Sequence, residues 1–245
     1  MISLRGLATS TGRHAYARSV LVATAAMLWN GLLPNLLDSG HNPRYNCRDS
    51  CWWFLQAVQD YCLLVPDGIS ILRDNVPWLF VDSEPPTARD SMGQKRSMLT
   101  VMVDILEHHL NGVSYREHNA GASLDRDMQD EGFNVSVGVS PATGFVQGGH
   151  SLNCGTWMDK NGLARFALAV CVLLNVMLAA GSSTVCGNAG VPATPRDGSP
   201  IELVALQASA LRWLAQLQQE RVIEAHVVVR LKVPPASPLC GSYEL

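Results

Sequence analysis

The sequence predicts a mainly α protein with long polar loops and one small β-hairpin. Three observations carry that prediction: apolar residues recur at helical spacing in several segments, a short stretch alternates with period two, and proline or glycine separates them. With 245 residues the chain is long enough to bury a sizeable core, as one large domain or two small ones.

Residues 13–33 read as a first helix, ended by Asn30-Gly31 and Pro34. A second helix is marked by Cys51, Leu55, Val58 and Cys62 on one face, with Asp49-Ser50 before it and Pro66-Asp67-Gly68 after it. Residues 74–94, with Pro77, Pro85 and Pro86, read as a loop. Met98, Met102, Ile105, Leu106 and His109 outline a further amphipathic helix that ends near Gly112. Val135, Val137 and Val139 then alternate, and Pro141 to Gly144 form a turn, which together make a hairpin. Ser199-Pro200-Ile201-Glu202 has the form of a capping box with proline at the first helical position. Val204, Ala208, Leu211 and Ala215 would continue the apolar face of that helix.

Charged residues are 16% of the chain and the formal net charge is −3, which gives no electrostatic footprint for nucleic acid. Seven cysteines, an odd number with no CxxC pair, argue against a zinc site or a disulfide framework and for a reducing compartment. No metal or cofactor is expected. Residues 1–37 lack Asp and Glu and contain Arg5, Arg13 and Arg18, a composition shared with targeting segments. Residues 166–181 form an apolar run broken by Asn175, at the low end of the ~17–25 residues that a membrane span needs.

Three clusters have chemical potential. In "RYNCRDSCWWF", residues 44–54, Arg48 and Asp49 offer a donor and an acceptor beside Trp52, an arrangement suited to a sugar's hydroxyl edges and C–H faces. The competing reading is that Asp49 caps the helix and Arg48 pairs with it. "YREHNAGASLDRDMQDEGFN", residues 115–134, reads by default as a solvated loop. In "NCGTWMDK", Asp159 lies between Met158 and Lys160 and close to Trp157; a partly apolar setting would keep its carboxyl protonated, as a general acid requires. Arg196, Asp197 and Glu202 of "PATPRDGSPIE" would flank it, although capping already accounts for Glu202.

Taken in order, "TGRHAYARSVLVATAAMLWNGLLPNLL", "RYNCRDSCWWFLQAVQDYC", "REHNAG", "DEGFN", "GFVQGG", "NCGTWMDK" and "PATPRDGSPIE" resemble the C-terminal glucosidase region of eukaryotic glycogen debranching enzymes. The resemblance spans roughly 3–161 and 188–232. It implies part of a glucoamylase-like α/α toroid of six helical hairpins, and inverting hydrolysis of α-1,6-linked glucose at the branch points of glycogen, in the cytosol. It also implies that the 4-α-glucanotransferase region of such enzymes lies outside this chain.

By resemblance, Asp159 is the candidate general acid, and Arg48 and Asp49 match the pair that grips the outer hydroxyls of the terminal glucose. Trp52, Arg116, Asn119 and Trp157 are candidates for the pocket lining, with Arg196 and Glu202 beside them. The general base is expected beyond the end of this chain, so residues 1–245 read as a partial glucosidase domain. Within it, residues 163–187 have no counterpart in the family pattern and read as an apolar insertion rather than an anchor; 233–245 read as a divergent tail. The alternative function is an inactive carbohydrate-binding or assembly module that lacks the base.

Overall fold

A computed structural model describes residues 1–38, 42–79, 96–125, 128–150, 152 and 197–223. It is mainly helical with small antiparallel sheets. A π-helical turn, Arg5–Thr9, precedes α1, His14–Ala25. Leu4, Ala8, Ala17, Leu21 and Ala25 all enter the core. The first helix is therefore shorter than the sequence predicts. It stops at Ala25 because the chain turns tightly through Asn30 and Gly31, both at positive φ, with Trp29 and Leu32 bridged across the turn. A side chain on Gly31 would overlap His108, so this turn admits only glycine at that position.

Strands β1, Leu36–Asp38, and β2, Asn42–Arg44, pair antiparallel and lead into α2, Ser50–Leu64. Helix α2 lies where its periodicity places it. Cys51, Leu55 and Val58 are buried, and the helix ends before Asp67, whose left-handed conformation lets the chain turn into Gly68. Arg18 of α1 grips Asp74 through two hydrogen bonds of 2.6 Å and reaches Ser70 at 3.1 Å, which ties α1 to the turn after α2.

Part of the expected loop pairs as a ladder: β3, Asn75–Val76, with β4, Arg96–Ser97. Ser97 then caps α3, Met98–Asn111, by accepting the Thr100 N–H at 3.1 Å. Gly112 ends α3 at positive φ.

The hairpin forms as expected from β6, Asn134–Val139, and β7, Val146–Gly148, with Val139 opposite Val146. The sequence missed its third member. Strand β5, Val113–Arg116, pairs with β6 in the register Val113 to Val137 through Arg116 to Asn134. The solvated-loop reading of 115–134 is thus corrected: Arg116 lies in a sheet, and Glu117 and Phe133 are buried.

Helix α4, Ile201–Gln219, differs from expectation in two ways. Pro200 is its N-cap residue and no side chain caps it, so the capping box does not form; Glu202 lies in the first turn. The buried face is Leu203, Leu206, Gln207, Ala210, Trp213, Leu214 and Leu217, not the stripe through Val204, Ala208, Leu211 and Ala215. Both stripes have helical spacing, but the observed one buries a tryptophan and four leucines against α2, more apolar area than the other offers. Ala215 is exposed. Ser209 hydrogen-bonds Gln56 and Gln59 of α2, at 3.0 and 3.1 Å.

Among the described residues, no helix is long and apolar enough to cross a membrane. Residues 163–187 and the tail 233–245 lie outside the described residues.

Candidate active site

The centre of the site is the N-terminal end of α2. Arg48 and Asp49 are 2% and 6% exposed, which is rare for charged side chains away from partners or ligands. Asp49 is the N-cap residue, yet its carboxylate makes no capping hydrogen bond, so capping does not account for it.

Backbone from two other motifs converges on Arg48. Its Nη1 donates to the carbonyl of Gly148 at the end of β7. The N–H of Gly148 donates to the carbonyl of Gly198 at 3.0 Å, and the N–H of Gly149 to Ser136 at 2.9 Å. Gly149 has φ +71°, and its Cα lies directly against the guanidinium: a Cβ there would sit 2.7 Å from Cζ and 2.9 Å from Nη2. "RYNCRD", "GFVQGG" and "PRDGSPIE", far apart in the chain, therefore meet at one point. Gln207 of α4 locks the junction, accepting from the Val146 N–H at 2.8 Å and donating to Gly144 at 2.9 Å.

A second polar pair supports the same segment. Arg44 Nε and Nη2 bond to the two oxygens of Glu117 at 2.8 and 3.1 Å, and Asp125 stands 3.5 Å from Nη1. The guanidinium fork matches a carboxylate in this two-pronged geometry. Glu117 and Asp125 raise the pKa of Arg44 against the opposing effect of its burial. Tyr115 donates to the Tyr45 carbonyl, Tyr45 donates to Met27 at 2.7 Å, and both rings pack on Trp29.

Behind the pair, Cys47, Ser50 and Cys51 donate to carbonyls of the 31–33 turn. Burial pushes the Cys47 thiol up to about 12, aided by the charge of Asp49, and it raises Cys51 as well. Neither is a nucleophile at neutral pH. They are free thiols that hold the loop.

The remaining expected site residues divide. Trp52 is 1% exposed and meets His109 edge-on at 5.1 Å, so its ring is a core group rather than an open platform for a sugar. Arg116 is exposed and bonded to Asp130 and Asn134. Asn119 is exposed at φ +58°. Glu202 is half-buried, four residues past the Gly198 junction. Asp159, Trp157 and Arg196 lie outside the described residues. Among the described residues, no three His, Cys, Asp or Glu side chains converge as a metal-ligand set.

Sequence reading overlooked Glu117, Gly148 and Gly149. The paired glycines of "GFVQGG" carry a signal, since adjacent glycines often mark close backbone approach. Glu117 carries none, because its partner is 73 residues away.

The sequence that carries these motifs matches known proteins. The sequence pattern of the family described as amylo-alpha-1,6-glucosidase matches residues 1–232. The chain is also similar to the glycogen debranching enzyme of Saccharomyces cerevisiae (strain ATCC 204508 / S288c), 42% identical over 222 residues. That match covers 89% of this chain and 13% of the yeast protein. A match across nearly the whole chain, including every motif that meets at Arg48, places it in a family of glycoside hydrolases: the chain belongs to the amylo-alpha-1,6-glucosidase family.

Proposed function

We propose that the chain carries the glucose-gripping and acid side of an α-1,6-glucosidase site that acts on glycogen branch points. The observation that carries this reading is the buried Arg48–Asp49 pair at the junction of Gly148 and Gly198. A buried donor fork next to a carboxylate that does not cap its helix suits a hydroxyl-rich sugar ring. Family membership supports the α-1,6 linkage and a branched α-glucan as substrate.

In this reading Arg48 donates to, and Asp49 accepts from, the outer hydroxyls of the terminal glucose. Asp159 protonates the leaving O6 as the C1–O6 bond breaks, while water adds to C1 from the opposite face and loses its proton to a second carboxylate. Inversion requires ~6.5–9.5 Å between the two carboxyl groups, leaving room for that water. The second carboxylate is not assigned on this chain. Trp157, Arg196, Glu202, Arg116 and Asn119 are proposed to surround the sugar, and Trp52 to support the pair from behind. The packed helices are read as part of an α/α toroid, with 163–187 as an insertion. The cytosol, where glycogen and reduced thiols occur together, is the proposed location, and Cys47 and Cys51 are consistent with it.

The test is glucose release from phosphorylase limit dextrin, with Asp159→Asn as control. Release abolished by the substitution is the expected result. Release that survives it excludes Asp159 as the acid. Co-sedimentation with glycogen without any release excludes hydrolysis by this chain and leaves a carbohydrate-binding module.

A further inference from the structure

We infer that Gly148 and Gly149 are the positioning residues for the Arg48 guanidinium, so that the backbone of this turn sets the direction in which the fork meets the sugar. The inference rests on the proposed function and deepens it. Arginine side chains have several soft torsions, and a fork that wanders loses its geometric match to a pair of hydroxyls. Here two backbone features remove that freedom. The Gly148 carbonyl accepts from Nη1 and pins one prong. The bare Cα of Gly149 lies against Cζ, Nη2 and Nε, where a Cβ would stand 2.7 to 3.0 Å away. Arg48 is 2% exposed and has no solvent space to retreat into. The turn itself is held from outside, by Gly149 N–H to Ser136 and Gly148 N–H to Gly198. Added bulk at 149 therefore acts on the guanidinium, the end of a long side chain, rather than on the surrounding backbone.

The test is isomaltose binding to the full chain, followed by titration calorimetry, with circular dichroism to confirm folding. Gly149→Ala is expected to weaken binding roughly 10- to 100-fold, the worth of a hydrogen bond to a charged group. Gly149→Asn should weaken it similarly: asparagine tolerates the left-handed conformation but brings the same Cβ, so a matching loss separates displacement from strain. In an Arg48→Met background, Gly149→Ala should cost no further affinity. Folded Gly149 variants that bind like the wild type would overturn the inference. So would a Gly149→Ala loss of equal size with Arg48 replaced. Failure of the wild type to bind isomaltose would instead overturn the glucosidase reading. The positioning claim is then decided by thermal unfolding: Gly149→Ala must lower Tm less in the Arg48→Met background, and equal shifts refute it.

Discussion

Arg44 and Glu117 form a buried, two-pronged ion pair, with Nε to Oε1 at 2.8 Å and Nη2 to Oε2 at 3.1 Å, that joins the strand before the Arg48 loop to the strand β5 segment. Glu117 is buried and Arg44 is partly buried, so removing one partner leaves a poorly solvated charge with less to balance it. Glu117→Gln is expected to cost about 3 kcal/mol in chemical denaturation, at the low end for a broken buried pair because Asp125 remains near Arg44. Replacing both partners with apolar residues should cost less than the sum of the two single changes.

His109 makes stability depend on pH. It is fully buried in α3, its Nδ1 bonds the Ile105 carbonyl at 2.7 Å, and its Nε2 has no hydrogen-bond partner among the described residues. Burial lowers its pKa to about 4 from the usual 6.5, outweighing the Ile105 bond. Between those values the unfolded chain binds the proton and the folded chain does not, so stability falls as pH falls from 6.5 toward 4. The loss approaches roughly 3 kcal/mol. Denaturation at pH 7.5 and pH 5 should show this slope, and His109→Gln should flatten it.

Gly31 sits at φ +71°, where a Cβ would overlap His108. The left-handed conformation alone costs alanine about 1–2 kcal/mol, and the overlap adds to it. Gly31→Ala is therefore expected to lower stability by at least about 2 kcal/mol in the same assay.

The face of α4 provides a direct comparison. Trp213→Ala should cost about 3–5 kcal/mol, whereas Ala215→Ser should change stability by less than about 0.5 kcal/mol. Equal effects at the two positions would contradict the observed orientation of the helix.

Cys47 and Cys51 should resist iodoacetamide in the native protein, because each thiol is buried and holds its proton well above neutral pH. Peptide mapping before and after denaturation measures this, with modification of both expected only after unfolding.

Sequence made local features legible and left distant ones hidden. Helix α2 was readable because Cys51, Leu55 and Val58 share one face between Asp49 and Pro66. The hairpin was readable because Val135 and Val137 alternate ahead of a turn. The face of α4 was not, since two adjacent stripes have the same period and only packing against α2 chooses between them. Strand β5 escaped because it is four residues long and owes its existence to β6. In the site, Arg48 and Asp49 stood out as an unusual pair before a helix, whereas Glu117 and the Gly148–Gly198 contact depend on pairings across the chain that no local pattern encodes.

The account's central claim is that Arg48 and Asp49 grip a glucose unit. Its most direct test is the affinity of the full chain for isomaltose, measured beside Asp49→Asn, which keeps the shape of the side chain and removes its charge. Saturable binding that weakens at least about tenfold in the variant is predicted. Equal affinity in the two proteins would contradict the claim.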